Sequence, residues 1–492
     1  MNLFILIFFN ALVISLIFVS PAVLLLLVIV NFAMAFGQGL LQIFSSLLPL
    51  KQPRTRAAEK KGLVSFHIAS HSEPPEILIR TLEALGNINY PRTEVLVLDN
   101  NTQDEKLWKP VQESCRRLGP KFKFFHESRL SGYKAGALNY LRRKTNPKAE
   151  YIVVVDADYI VNPNFLNEAL KYFHDDTVAF AQFPQAYENV GPGNIGMVLE
   201  YEHFFATYMK MANYFGCANT TGTLTVFRSK ALRRVGAYDT DFITEDAEMG
   251  TRLITRNYRS VYVDKVMGRG LAPFELDSYK KQKFRWAMGN IQVLRHYLLK
   301  LLFKRGVGLP QKIGLIAQLT AWLNYTLLPI MVILLVSISS LFRPASPTLL
   351  LAFGLAGTTL ALFVLQKLFS FFLVFSGKYS VSTILRALLV HLGMNWVYSS
   401  AIFIGLFKKR HVFFRTNKFI FSGVGRGLQL VAIETFLLLL SLVTAGALLA
   451  TGHAASAAPV LLVGFLNLLV FYVRWEAGEA KKLSTMLLSE LK

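Results

Sequence analysis

Several polar residues in the middle of the chain have the types and spacing for group-transfer chemistry. Asp156-Ala157-Asp158 sets two carboxylates one residue apart, directly after the apolar run Tyr151–Val155. Such a pair repels itself unless a cation lies nearby. A divalent ion with oxygen ligands, of the kind that travels with a nucleoside diphosphate, meets that need. Acidic loop pairs also occur for structural reasons, and the triplet alone does not separate the two readings. Thr244-Glu245-Asp246 opens a helical pattern through Met249, Leu253 and Ile254. Thr244 as a cap with acids in the first turn is a complete structural account, so a functional one needs context. Gln282, Arg285 and Trp286 supply it. Their i, i+3, i+4 spacing puts all three on one helical face. A guanidinium can grip a diphosphate through two parallel bonds, and an indole can stack on the apolar face of a sugar.

The elements that must position these residues read as alternating strand and helix. Leu63–Ile68 is an apolar strand, and Glu73-Pro74-Pro75-Glu76 opens a helix through Ile79 and Leu82, with acids and proline in its first turn. Val95–Leu98 is a second strand ending at Asp99, Phe122–Phe125 a third, and Tyr151–Val155 a fourth. The fourth is apolar almost throughout, as a buried parallel strand should be. Ligands of open α/β sheets collect at the carboxyl ends of strands, where Asp99, Asp156 and Asp158 fall.

This α/β block sits between apolar stretches. The chain has 492 residues, 53% of them hydrophobic and 17% charged, with a mean hydropathy of +0.39. No charged residue occurs from Met1 to Leu50. That run lacks a basic start and outlasts a signal peptide, so it reads as an anchor, divided by Pro21 into spans of 2–19 and 22–46. Further spans are expected at 319–342, 348–366, 428–451 and 457–475. Residues 381–407 are apolar but interrupted by Arg386, His391, Asn395 and Trp396, and they precede Lys408-Lys409-Arg410-His411. They read as an amphipathic helix lying in the membrane interface, and residues 309–318 as a shorter one. Glu434, near the start of a span, is expected at the headgroups, paired with Arg426.

Six spans leave the basic clusters on one side. The net charge of +22 therefore points to a bilayer and not to nucleic acid, because much of it flanks the spans in Lys51/Arg54/Arg56, Lys304/Arg305 and Lys408–Arg410, where cytosolic loops carry it. Cys115 and Cys217 are the only cysteines and form neither a disulfide framework nor a metal cluster, which fits a domain in the reducing cytosol.

In order, the chain reads Glu73-Pro74-Pro75-Glu76, Val97-Leu98-Asp99-Asn100-Asn101-Thr102, Gly132-Tyr133-Lys134-Ala135-Gly136-Ala137-Leu138-Asn139, Asp156-Ala157-Asp158, Gln182-Phe183-Pro184-Gln185, Thr244-Glu245-Asp246 and Gln282-Lys283-Phe284-Arg285-Trp286. This ordered set resembles a family 2 glycosyltransferase of the cellulose-synthase-like superfamily. Phe413-Phe414-Arg415-Thr416-Asn417-Lys418 resembles that family's gating loop. The resemblance implies a GT-A type α/β domain with a mostly parallel sheet, embedded between transmembrane helices. The expected organisation is a transmembrane hairpin (1–50), the cytosolic catalytic domain (51–300), interfacial helices with a second hairpin (301–407), the gating-like loop (408–425), a third hairpin (426–476) and a cytosolic tail (477–492). Both termini and the catalytic domain would face the cytosol of a plasma or inner membrane.

The resemblance also assigns roles. Asp246 would be the general base beside Glu245, while Gln282, Arg285 and Trp286 form the Q-x-x-R-W motif. Arg285 would steady the pyrophosphate and Trp286 floor the acceptor site. Asp99, Lys134 and Asp156 would face the nucleotide, Asp158 would hold Mg2+ or Mn2+, and Thr416 and Lys418 would reach the nucleotide when the loop closes. Phe215-Gly216-Cys217 and Thr221-Gly222-Thr223 fall where the family shapes its acceptor pocket, so Cys217 and Thr223 join Trp286 as expected acceptor contacts. The activity implied is inverting, processive transfer of glucose from UDP-glucose to a growing β-glucan, with the helices conducting the polysaccharide outward. UDP-N-acetylglucosamine, GDP-mannose and transfer of one sugar to a lipid stay open as alternatives. An outward-secreting synthase also implies a periplasmic or cell-wall export partner. Three departures weaken any transfer of donor or linkage: His71-Ser72 stands where Tyr-Asn is usual, Arg415 replaces the gating valine, and no Asp follows Asp99 directly.

Overall fold

Apolar runs closed by acids become the strands of a seven-stranded sheet. The computed structural model describes residues 2–50, 55–56, 62–407 and 429–490. Thr416, Lys418 and the rest of the gating-like loop, the Lys408–His411 run, Lys51, Arg54 and Arg426 therefore lie outside the described residues. Helices α1 (Asn2–Val19) and α2 (Pro21–Leu47) come first, split at Ser20-Pro21 as expected.

The α/β domain follows in the order β1 (Leu63–Ser70), α3 (Pro75–Gly86), β2 (Thr93–Asn100), α4 (Glu105–Arg117), β3 (Phe122–Glu127), α5 (Tyr133–Lys144), β4 (Ala149–Val154), β5 (Ile160–Val161), α6 (Phe165–Ala169) and β6 (Val178–Gln182). Then come α7 (Ile195–Phe204), a π-helical segment at Phe205–Met209, α8 (Lys210–Tyr214), β7 (Thr225–Arg228), α9 (Ser229–Val235), α10 (Glu245–Thr255), β8 (Arg259–Tyr262) and β9 (Gly268–Arg269).

The strand order is β3-β2-β1-β4-β7-β6-β8, with β5 and β9 forming a small second sheet. Strands β3, β2, β1 and β4 are mutually parallel, as is the β6–β8 pair, while β7 runs antiparallel to both neighbours. The mostly parallel α/β domain expected from the sequence is thus present. Val64, Phe66, Val97 and Val153 are fully buried, and α3 lays Leu78, Leu82 and Leu85 onto them. Each such side chain contributes roughly 1.5–3 kcal/mol.

After the domain come α11 (Leu276–Phe303), α12 (Leu309–Leu319), α13 (Leu327–Ser340), α14 (Pro347–Phe375), α15 (Val381–Gly393), α16 (Asn395–Phe407), α17 (Ala432–Ala450) and α18 (Ala454–Glu490). Among the described residues, four helical stretches are long and apolar enough to cross a membrane: Pro21–Leu47, Pro347–Phe375, Gln429–Ala450 and Ala454–Met486. Two of the expected spans fall below that length, α1 and the segment 319–342. The segment 319–342 is helical only from Leu327, and the 14 residues of α13 reach ~21 Å, against ~30 Å for the hydrocarbon core. The preceding link carries buried polar groups that bond sideways instead of continuing the helix: Asn324 Nδ2 donates to Asn395 Oδ1 at 2.6 Å, and Thr326 Oγ1 to the same oxygen.

The expectation of one interfacial helix at 381–407 is also corrected. It is a pair, α15 and α16, bent by 43° at Met394. The first half of α16 is buried on every side, and Gly405 lies so close to α11 that a Cβ would stand 2.9 Å from the Met288 carbonyl oxygen. Glu434 is 3% exposed and pairs with Lys280 of α11 at 2.5 Å, which ties α17 to the helix carrying the Q-x-x-R-W motif; its expected partner Arg426 lies outside the described residues.

Candidate active site

Parallel register brings the first site residues together. Ser70 of β1 is paired with Asp99 of β2, and Asp99 with His126 of β3. Ser70 Oγ donates to Asp99 Oδ2 at 2.9 Å and His126 Nδ1 lies 3.3 Å from Oδ1. Burial pushes the Asp99 carboxyl above its ordinary range, and hydrogen bonds from Thr102, Ser70 and His126 pull it back. Asp156 follows β4, its backbone N–H donating to Thr223 Oγ1 at 3.0 Å. Lys134, in the first turn of α5, reaches across and donates to Asp156 Oδ1 at 2.5 Å and to the Gly222 carbonyl at 2.8 Å. Burial works against its charge, yet Asp156, Glu245 and Asp246 hold the ammonium above its ordinary range.

Glu245 and Asp246 occupy the first turn of α10, where the helix dipole favours carboxylates. Thr244 sits at the N-cap, but its side chain makes no capping bond and its buried hydroxyl has no hydrogen-bond partner. The cap expected from the sequence is therefore a position without its bond. Burial and then the neighbouring Asp246 push the Glu245 carboxyl up to about 7. Burial also raises Asp246, while Lys134 and Arg285 pull it down.

A stability prediction follows from Glu245. A carboxyl held above its unfolded value binds its proton more tightly in the folded state, so stability falls as pH rises from about 4.5 through about 7. Glu245→Gln removes that loss. Its thermal-unfolding advantage over wild type should widen across this window, and a pH-independent gap would refute the assignment.

On α11, Gln282, Arg285 and Trp286 share the face turned to this site. Gln282 is held by Tyr201, whose hydroxyl donates to its Oε1. The Trp286 ring packs edge-on against Tyr201 at 5.5 Å and lies tilted against Trp322 at 5.8 Å. Two cavities meet here. One, of about 80 Å³, is lined by Lys134, Asp156, Glu245, Asp246, Arg285 and Trp286. The other, of about 60 Å³, is lined by Asp246 and Trp286 again, with Thr220, Asn290, Phe204 and Trp322. Asp246 and Trp286 thus stand between a charged chamber and an aromatic one. Of the sequence-expected residues, the structure gathers Lys134, Asp156, Glu245, Asp246, Gln282, Arg285 and Trp286.

Others stand elsewhere. Cys217 is fully buried in a separate apolar cluster, its thiol donating to the Ala212 carbonyl, because the chain turns inward at Gly216. It lines neither cavity. Thr223 is also fully buried and serves as the acceptor for the Asp156 N–H. Their neighbours Thr221 and Gly222 line the charged chamber instead. Gly222 has φ +82°, and a Cβ there would stand 2.9 Å from Asp246 Oδ2. Gly222→Ala should cost roughly 1–2 kcal/mol from the left-handed backbone alone, read as a lower Tm.

Asp158 is 7% exposed, one oxygen accepting the Leu271 N–H at 3.0 Å. Among the described residues no group of three or more His, Cys, Asp or Glu could hold a metal ion. A hard divalent ion at Asp158 would therefore have to complete its oxygen shell from a diphosphate and water. Sequence reasoning missed Tyr201 and Trp322, since aromatic residues in apolar surroundings carry no signal beyond core packing. Gln182, quoted as a motif residue, is fully buried and staples the 221–225 segment: its Oε1 accepts from the Thr221 N–H and Thr225 Oγ1.

The model of the family described as Glycosyl transferase family group 2 matches residues 151–473, and that of Glycosyl transferase family 2 matches residues 65–236. The chain belongs to glycosyl transferase family group 2. This group 2 chain is 26% identical over 291 residues to the cellulose synthase catalytic subunit (UDP-forming) of Xanthomonas axonopodis pv. citri, covering 57% of this chain and 38% of that protein. It is equally 26% identical over 277 residues to a probable glucomannan 4-beta-mannosyltransferase 7 of Oryza sativa subsp. japonica, covering 53% and 47%. The matches thus span less than half the length of these two relatives. Its fold is similar to that of mannosyltransferase PcManGT from Pyrobaculum calidifontis, solved in complex with GDP-Man and Mn2+. The TM-score is 0.53 at 20% identity, over 78% of this chain and 99% of that one. The seven-stranded domain between apolar helices is the GT-A type arrangement that the motifs imply.

Proposed function

We propose that this chain transfers a hexose from a nucleoside diphosphate sugar to a hydroxyl of a growing β-linked polysaccharide, with inversion at the anomeric carbon, and that its membrane helices carry the product outward. The observation that carries this reading is Asp246, a raised carboxylate standing between a charged chamber suited to a diphosphate and an aromatic one suited to a sugar. Asp246 takes the proton of the acceptor hydroxyl as its oxygen attacks the anomeric carbon. The bond to the diphosphate breaks on the opposite face, so an α-linked donor gives a β-linked product. Arg285 stabilises the charge that grows on the leaving diphosphate. Lys134, now on Asp156, is within reach of the same charge. Trp286 supplies a flat apolar face for the acceptor ring.

Asp158 is the residue that would hold Mg2+ or Mn2+. When bound, the ion would neutralise diphosphate charge as a Lewis acid. Asp99, buried among Ser70, Thr102 and His126, is assigned to the base or ribose of the donor.

The leading donor is UDP-glucose, and the product a β-glucan made processively. Relatives named for cellulose and for glucomannan synthesis match at the same 26% identity, so GDP-mannose is the second reading. We assign the catalytic domain and both termini to the cytosolic face of a plasma or inner membrane, from the basic clusters beside the spans. Purified protein in lipid, given a panel of radiolabelled nucleotide sugars with Mg2+ or Mn2+, should incorporate one of them into a chain of many residues. Linkage analysis then gives the bond made. Incorporation of a single sugar into lipid would overturn the polymerase reading, and incorporation of none would overturn the transferase.

A further inference from the structure

Behind the Q-x-x-R-W face lies a charge the proposed reaction does not use. Glu200 of α7 is completely buried, as is its ion-pair partner Lys283 of α11. Its carboxylate is shared out evenly. Oε2 takes the Lys283 ammonium and the Tyr279 hydroxyl at 3.0 Å, both from α11. Oε1 takes His391 Nδ1 at 3.1 Å and the Tyr398 hydroxyl at 2.8 Å. Two hydroxyls and an imidazole within hydrogen-bond distance, together with the ammonium as ion-pair partner, thus surround the carboxylate.

The two donors on Oε1 come from opposite sides of the bend in the broken helix, His391 on α15 and Tyr398 on α16. Seven residues along a straight helix separate two side chains by ~10.5 Å. The 43° bend between them lets both reach a single oxygen. The other oxygen is tied to the motif helix. Tyr279 and Lys283 are one turn apart, and Lys283 directly follows Gln282. The Lys283 ammonium lies 3.6 Å from the Tyr201 ring centroid, 4.5 Å from that of Trp322 and 5.0 Å from that of Trp286. Tyr201, the next residue after Glu200, donates to Gln282 and packs on Trp286.

Buried ion pairs are often matched in stability by apolar residues of the same size, and their better-attested use is to fix a register or a switch. We infer that Glu200 is a positioning residue coupling the transfer site to the bend between α15 and α16. One oxygen holds α11 in the register that presents Gln282 and Trp286, and the other holds the broken membrane helix, so that sugar addition and movement of the product past the bend are linked. This rests on the polymerase reading above.

The test uses the full chain in lipid nanodiscs with the donor found by the panel. It measures donor hydrolysis, sugar transfer, product length and thermal stability. Tyr398→Phe removes one hydroxyl from the membrane side of the node. It should leave donor hydrolysis and donor KM within about twofold of wild type while product length falls severalfold. Glu200→Gln should show the same separation more strongly. A parallel fall of hydrolysis, transfer and Tm in both variants would mean that the node is structural only. Unchanged product length with Tyr398→Phe, in a wild type that does make polymer, would overturn the coupling alone. A wild type that adds a single sugar would overturn the polymerase reading and the coupling with it.

Discussion

Asp246→Asn lowers sugar transfer by about 10²–10⁴-fold, the usual contribution of a positioned general base, while affinity for the nucleoside diphosphate stays within a few-fold. Asn keeps the shape of Asp and its place in the first turn of α10, so the loss belongs to proton transfer. The wild-type rate should climb with pH through a value above that of an ordinary carboxylate, because burial raises Asp246 more than Lys134 and Arg285 lower it. In the Asn variant that limb disappears. Transfer assays on purified protein across pH 4–9, with nucleotide binding measured by calorimetry, check both. Wild-type-like transfer by the variant would remove Asp246 from the mechanism.

The second large effect concerns Arg285. Its guanidinium stands among Glu245, Asp246 and Asp156, three acids that would repel an incoming diphosphate if it were absent. Arg285→Lys keeps a positive charge but loses the planar fork that grips two phosphate oxygens at once. It is expected to reduce kcat/KM by about 10²–10³-fold, the scale of removing one preorganised donor to a developing anion. Much of the loss should fall on kcat, because the charge it meets grows as the bond to the diphosphate breaks. A variant that changed KM alone would make Arg285 a docking group.

The two effects rest on residues of different legibility. Asp156 could be placed from the sequence because a near-continuous apolar strand must be buried and must end, and its first polar residue then sits at the carboxyl edge of the sheet. Arg285 and Trp286 could be placed because helical spacing fixes a shared face. Reasoning failed where tertiary partners decide. Cys217 and Thr223 bracket the site in sequence, but the turn at Gly216 sends one into a core and the other beneath Asp156. Thr244 holds the cap position, yet its hydroxyl makes no bond there. The span expected at 319–342 is interrupted because Asn324 and Thr326 find Asn395 about seventy positions away, which hydropathy cannot see. Glu200 gave no signal at all: an acid in a mostly apolar helix does not announce that partners from three helices far along the chain will meet on it.

The two chambers at Asp246, about 80 and 60 Å³, each have room for a handful of water molecules at roughly 10–15 Å³ of such space apiece. Asp246 and Trp286 line both chambers, so a substitution at either reshapes the two spaces at once. Its effect on binding should therefore not add simply to that of a change at Phe204 or Trp322, which line only the aromatic one.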